Sequence, residues 1–216
     1  RRGRSLRESG LRLRRVFLMP RAKWVIPTPA PAPSERKLEK IAPRALLDGA
    51  HGAAIRRAVE ERTAILEIVA ALPKADRALL PDVAPAVNAL VERVVHLAQA
   101  IERLEGSADP RLLAELDARI AEMERTSDAP DTDRRLALLR RQRATLDDLV
   151  QRRAALVQQL DNAEIALGNL RLDLVKLRSS GIQASLSDVS TATQEARALS
   201  REIGAVLEAA AEVKKL

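Results

Sequence analysis

The chain has no cysteine and no tyrosine, and its 216 residues include one tryptophan and one phenylalanine. Without cysteine there is neither a disulfide framework nor a thiolate metal site, which fits a reducing compartment. Aromatic side chains supply the largest buried area per residue in globular cores. Their scarcity, beside 46% apolar and 31% charged residues, favours long helices packed along narrow seams. No apolar run approaches the roughly 18 residues of a membrane span or forms the core of a signal peptide. The first residue is Arg1 rather than Met, so a longer parent protein is expected.

Charge is plentiful but unevenly placed. Residues 1–23 carry nine basic side chains (Arg1, Arg2, Arg4, Arg7, Arg12, Arg14, Arg15, Arg21 and Lys23) against one Glu. The other 193 residues hold 28 basic and 29 acidic side chains, so the overall +7 resides in this arm. A basic arm attracts phosphates, whether of nucleic acid or of an anionic membrane. Stacking on nucleic acid has only Phe17 and Trp24 to draw on. The mixture LRLRRVFLMPRAKW, with Leu, Phe, Met and Trp beside arginines, suits an interfacial or juxtamembrane segment better. A solvated tail is the plainer alternative.

VIPTPAPAP, Val25–Pro33, reads as an extended polyproline-type spacer. Ser34 has the character of an N-cap for a short helix through about Lys40. A helix is expected from Leu46 to Ala71, and one or two turns between Lys74 and Leu80. Val83, Val87, Leu90, Val94, Leu97, Ile101 and Leu104 then step by four and three, the spacing of one helix face. Gly106 ends that helix. Asp109-Pro110 restarts the chain with a cap and a first-turn proline, and Leu113, Leu116, Ile120 and Met123 face inward.

From Leu136 to Gly181 no proline interrupts the chain. A seam runs Leu139, Gln142, Leu146, Leu149, Arg153, Leu156, Leu160, Ala163, Leu167, Leu170, Leu174, Leu177. Holding so strict a heptad repeat implies winding against a partner, because a straight helix drifts about 20° per heptad from it. At about 1.5 Å per residue this seam is roughly 58 Å long. A second seam follows Gly181: Ile182, Leu186, Val189, Thr193, Ala196, Ser200, Ile203, Leu207, Ala210. The simplest partner is therefore the next helix, in an antiparallel coiled-coil hairpin closed at Ser179–Gly181. Arg153 is the weak point, since a charge in a seam must snorkel or pair. Three regions result: 1–33, basic arm and linker; 34–129, a small bundle of short helices; 130–216, the long hairpin, with the helices 46–71, 83–104 and 110–125 expected to pack against its proximal part. The expected fold class is all-α.

Residues for catalysis are not assembled. His96 falls on an outer helix face, and His51, in DGAHGAA, reads as a loop residue, with a proton shuttle as the sharper alternative. Asp128, Asp131 and Asp133 cluster in TSDAPDTD, but the spacing, central glycine and closing Glu of an EF-hand are missing. There is no Walker loop, G-x-G-x-x-G or G-x-S-x-G. No enzyme, metal or cofactor is expected in this chain.

The stretch LRRQRATLDDLVQRRAALVQQLDNAEIALGNLRLDLVKLRSSGIQASLSDVSTATQEARALSREIGAVLEA, with ALPKADRALLPDVAPAVNALVERVVHLAQAIERLEG before it, resembles the non-catalytic helical region following the kinase domain in some bacterial serine/threonine protein kinases. The likeness covers about residues 46–216 and lies in overall pattern. The Gly-rich loop, strand lysine, H-R-D and D-F-G of that family are absent, so no catalytic residue carries over. The resemblance implies a kinase upstream of Arg1, with Arg1–Pro33 as a connecting, juxtamembrane segment; the expected setting is cytoplasmic, with membrane association as an option through the basic arm or residues upstream of it. The expected role is a helical spacer or self-association module, with a protein partner that is another helix or a second copy in a homodimer.

Overall fold

A computed structural model describes residues 38–126, 130–180 and 182–212. The basic arm, the proline spacer, the Ser34 cap and the Gly181 bend lie outside them. Among the described residues the chain forms helices and no strand. They are α1 (Arg44–Asp48), α2 (Gly52–Ala71), α3 (Lys74–Arg77), α4 (Val83–Glu105), α5 (Pro110–Thr126), α6 (Pro130–Ser180) and α7 (Ile182–Glu212). The protein is all-α.

Proline and glycine set the punctuation. Pro110 and Pro130 occupy first helical positions, where a missing N–H is no loss. Pro43 and Pro73 precede α1 and α3 as their N-cap residues. Gly106 ends α4. The expected single helix over 46–71 is two helices. Gly49 is extended, with ψ of 179°, and the chain turns through His51 before α2 begins at Gly52.

Ion pairs fix how the helices run. Arg57 meets Glu164 at 3.0 Å and Arg171 meets Glu61 at 3.0 Å, so α2 and α6 are parallel. Lys176 bonds Asp188 at 2.7 Å and Gln159 donates to Glu202 at 2.8 Å, so α7 returns antiparallel to α6. Asp82 pairs with Arg197 at 2.6 Å near the start of α4, and the Arg93 side chain further along packs on Gly204, so α4 and α7 are parallel.

These four helices form one section around a common core. α4 and α6 pack on each other and each touches both α2 and α7. That central position explains why α4 is buried on two faces: Val83, Val87, Leu90, Val94, Leu97 and Ile101 on one, Ala86, Val91, Val95 and Ala98 on the other. From α6, Leu156, Leu160, Ala163, Leu167, Leu170, Leu174 and Leu177 are all at most 2% exposed. Small residues of α7 let it approach closely: Ser185, Val189, Ala192, Thr193, Ala196 and Ser200 are buried with Ile203. The Thr193 hydroxyl donates to the Val189 carbonyl at 2.6 Å, which satisfies it inside the core.

The first half of α6 has a different partner from the one the heptads suggest. α7 has 31 residues and α6 has 51, so the return helix runs out partway along. Beyond that point α5 covers the seam. Arg153 meets Glu105 at 3.5 Å, Arg143 meets Asp117 at 2.9 Å and Arg140 meets Glu124 at 2.6 Å. One antiparallel register thus continues from α4 into α5. The full-length partner of α6 is α4 plus α5, broken once at Gly106–Asp109. The regions 34–129 and 130–216 share one core.

Gly168 sits in the middle of α6 with nothing within 4 Å of where a Cβ would stand. Glycine in a helix interior is about 0.5–1 kcal/mol less favourable than alanine. Gly168→Ala is therefore expected to raise the melting temperature by about 1–4 °C. A lower melting temperature would show that the open space is not there.

Candidate functional site

The part of α6 before Arg153, with α5, projects past the four-helix section as a two-helix arm. Its construction is local. Asp109 Oδ1 accepts the Arg111 backbone N–H at 2.9 Å and so caps the first turn of α5. The Arg140–Glu124 and Arg143–Asp117 pairs tie α5 to α6 along one edge. The hydrogen bond and charge of Asp117 hold the Arg143 guanidinium above its ordinary range. Toward the other end of α6, Lys176 holds the Asp188 carboxyl below the usual carboxylate range in the same way.

Two helices cannot bury a stripe that faces both of its flanks. In the four-helix section the seam leucines are enclosed. In the arm Leu139, Leu146 and Leu149 are only half-buried, although Leu136 and Leu116 are covered. Leu138 is 61% and Leu112 41% exposed. The resulting groove of about 560 Å³ lies between α5 and α6 and is lined by leucines from both, with Glu115, Arg119 and Arg141 at its rim. Large exposed leucines at both ends of one apolar groove are the kind of patch that marks an interaction site.

The other sequence-derived candidates are placed as follows. Leu156, Leu160, Leu167, Leu170, Leu174, Leu177, Val189 and Ile203 lie in the four-helix core, where they are structural. Leu186 and Leu207 are partly buried at its edge. No side chain is described at Ile182 or Ala210. Arg153 sits where arm and core meet. Its Nη2 reaches Glu105, while its buried Nε has no hydrogen-bond partner among the described residues. Arg1, Arg2, Arg4, Arg7, Arg12, Arg14, Arg15, Arg21 and Lys23 lie outside the described residues.

His51 is the N-cap residue of α2, half-buried, and its Nε2 has no partner among the described residues. His96 is half-buried on α4. Among the described residues no three His, Asp or Glu side chains converge as a metal site, and no helix is long and apolar enough to cross a membrane.

Sequence reasoning missed Leu112 and Leu138. Each stands next to a seam residue, Leu113 and Leu139, in an adjacent pair of leucines. That doubling widens the apolar stripe beyond a two-helix seam, and was the available signal.

Fold and site together define an all-α protein with a four-helix section and a projecting two-helix arm that carries an apolar groove. No protein-family model, curated protein or solved structure matches this chain.

Proposed function

We propose that this chain is a non-enzymatic helical spacer and interaction module, in which the four-helix section anchors the arm and the arm meets a protein partner. The single observation behind this reading is the open leucine groove on a rod that extends past its own core. In this reading α6 winds on α4, α5 and α7 as an antiparallel coiled coil. The parent protein is a larger bacterial signalling protein, such as a serine/threonine kinase, on the strength of the sequence resemblance alone. A nucleotide-binding lobe encoded upstream of Arg1 is the result expected of that attribution, and a frame without one would remove it.

The spacer role has a direct test. Glu105 and Arg153 lie side by side, so residues 106–152 are replaceable by a short glycine-serine turn. The armless protein is expected to keep its cooperative melt and to sediment with a lower frictional ratio than the intact chain. Equal frictional ratios would mean that the arm does not project.

The concentration of charge in residues 1–23 favours a second reading, a polyanion-binding protein that uses the hairpin to position its basic arm. Binding to DNA or to anionic vesicles should then weaken with salt, with a log–log slope that grows with the number of phosphates contacted. Deleting residues 1–23 should abolish it. Binding unchanged by that deletion would refute the reading.

A further inference from the structure

We propose that the groove on the arm is the docking surface for the arm of a second copy of this chain, so that two arms complete a four-helix section like the one within each molecule. This inference rests on the reading of the arm as an interaction surface and names its partner.

The arm is self-complementary. In the register set by Arg143–Asp117 and Arg140–Glu124, Leu112 of α5 stands level with Val150 of α6, and Glu115 stands level with Asp147. A twofold axis crossing the arm at the level of Ala144 therefore brings Leu112 of one copy to the level of Leu138 of the other. The same axis brings Glu115 to the level of Arg141. The two most exposed leucines of the groove come level with each other inside the shared groove, and so do an acid and a base that line it. A single symmetric operation makes both matches twice, as an isologous interface requires.

Two further observations agree. Glu115 and Arg141 line the groove, and among the described residues neither side chain is in an ion pair, whereas Asp117, Glu124, Arg140 and Arg143 on the other edge are already engaged with each other. The arm as a whole, residues 106–152, has ten acidic and nine basic side chains, so two copies approach without net repulsion. The basic segment 1–23 has no such match, because the groove rim has two arginines and one glutamate.

The available area fits a reversible dimer. An arm about 26 Å long and two helices wide covers about 500 Å² on each copy. The total of about 1,000 Å² is at the lower limit for a specific interface. A concentration-dependent monomer–dimer equilibrium is the expected behaviour.

The test is sedimentation of the intact protein over a concentration series, with circular dichroism on every variant to show that helicity is kept. Reversible dimerisation is expected. Leu138→Arg should leave a monomer at every concentration. Glu115→Arg and Arg141→Glu should each weaken the dimer about tenfold or more, and the double variant should recover most of that loss. A chain that is monomeric throughout, a dimer indifferent to Leu138→Arg, or charge reversals that fail to rescue each other would overturn the proposal. A monomer with the frictional ratio of an extended arm overturns only the self-docking. A monomer as compact as the armless protein overturns the spacer reading with it.

Discussion

Gly52→Ala is expected to destabilise the protein by about 3 kcal/mol and to lower its melting temperature by roughly 10 °C. A Cβ at position 52 would stand 1.8 Å from the Leu47 carbonyl oxygen and 2.5 Å from its carbon. Both are backbone atoms, so no side-chain rotation relieves the overlap. The same carbonyl accepts from Arg56 Nη2 at 3.1 Å, and the Gly52 N–H donates to the Gly49 carbonyl at 3.0 Å. Alanine must therefore push α1 away from the start of α2, and with it Leu46 and Leu47, which are 3% and 6% exposed in the core. Gly106→Ala is the control, because nothing lies within 4 Å of a Cβ there. It should change stability by less than about 0.5 kcal/mol. Equal melting temperatures for the two variants would show that α1 does not press on α2 as described.

Leu160→Arg is expected to abolish the cooperative melt or to lower stability by about 3–5 kcal/mol or more. Leu160 is 2% exposed, in the stretch of α6 that packs on α2, α4 and α7. Arginine there loses the leucine's burial and leaves a charge with no counter-ion in the core, which is among the largest penalties a single substitution brings. The same substitution at Leu172, on the same helix but 66% exposed, should leave helicity and melting almost unchanged. Circular dichroism melts of the two variants make the comparison. A Leu160→Arg protein that melts like the wild type would mean that the four-helix core is not built around this stripe.

The helices were legible where apolar periodicity coincides with burial. Val83 to Ile101 reads as a face because each step of four or three lands on a residue that the core encloses. The long α6 reads as one rod because no proline interrupts it. The partners of that rod were legible only in part: α7 does return antiparallel along it, but the cover over its first stretch is α5. A heptad repeat fixes which residues need covering, not which helix covers them, and adjacency at Gly181 pointed to α7. The decisive quantity was length. The stretch from Val83 to Thr126 spans α6 almost fully, whereas α7 spans little more than half of it, but the break at Gly106–Asp109 disguised α4 and α5 as separate pieces. The Gly49–Gly52 corner was legible only in part. DGAHGAA marks His51 as a loop residue, but the apolar spacing continues across it, and the close approach of Leu47 to Gly52 is not given by the glycines alone. The arm groove became visible only once α5 was known to be the sole described cover over Leu138 and Leu146.

One unbroken helix, α6, runs from arm to core. Absence of cysteine makes it measurable, since Arg134→Cys and Arg178→Cys introduce two unique labelling sites at exposed positions of α6. With about 1.5 Å of rise per residue the sites are about 66 Å apart. Double electron–electron resonance on doubly labelled protein diluted with unlabelled chain should give a single narrow distance near that value. A distribution centred well below it, or one split into two populations, would mean that the rod bends or breaks between arm and core.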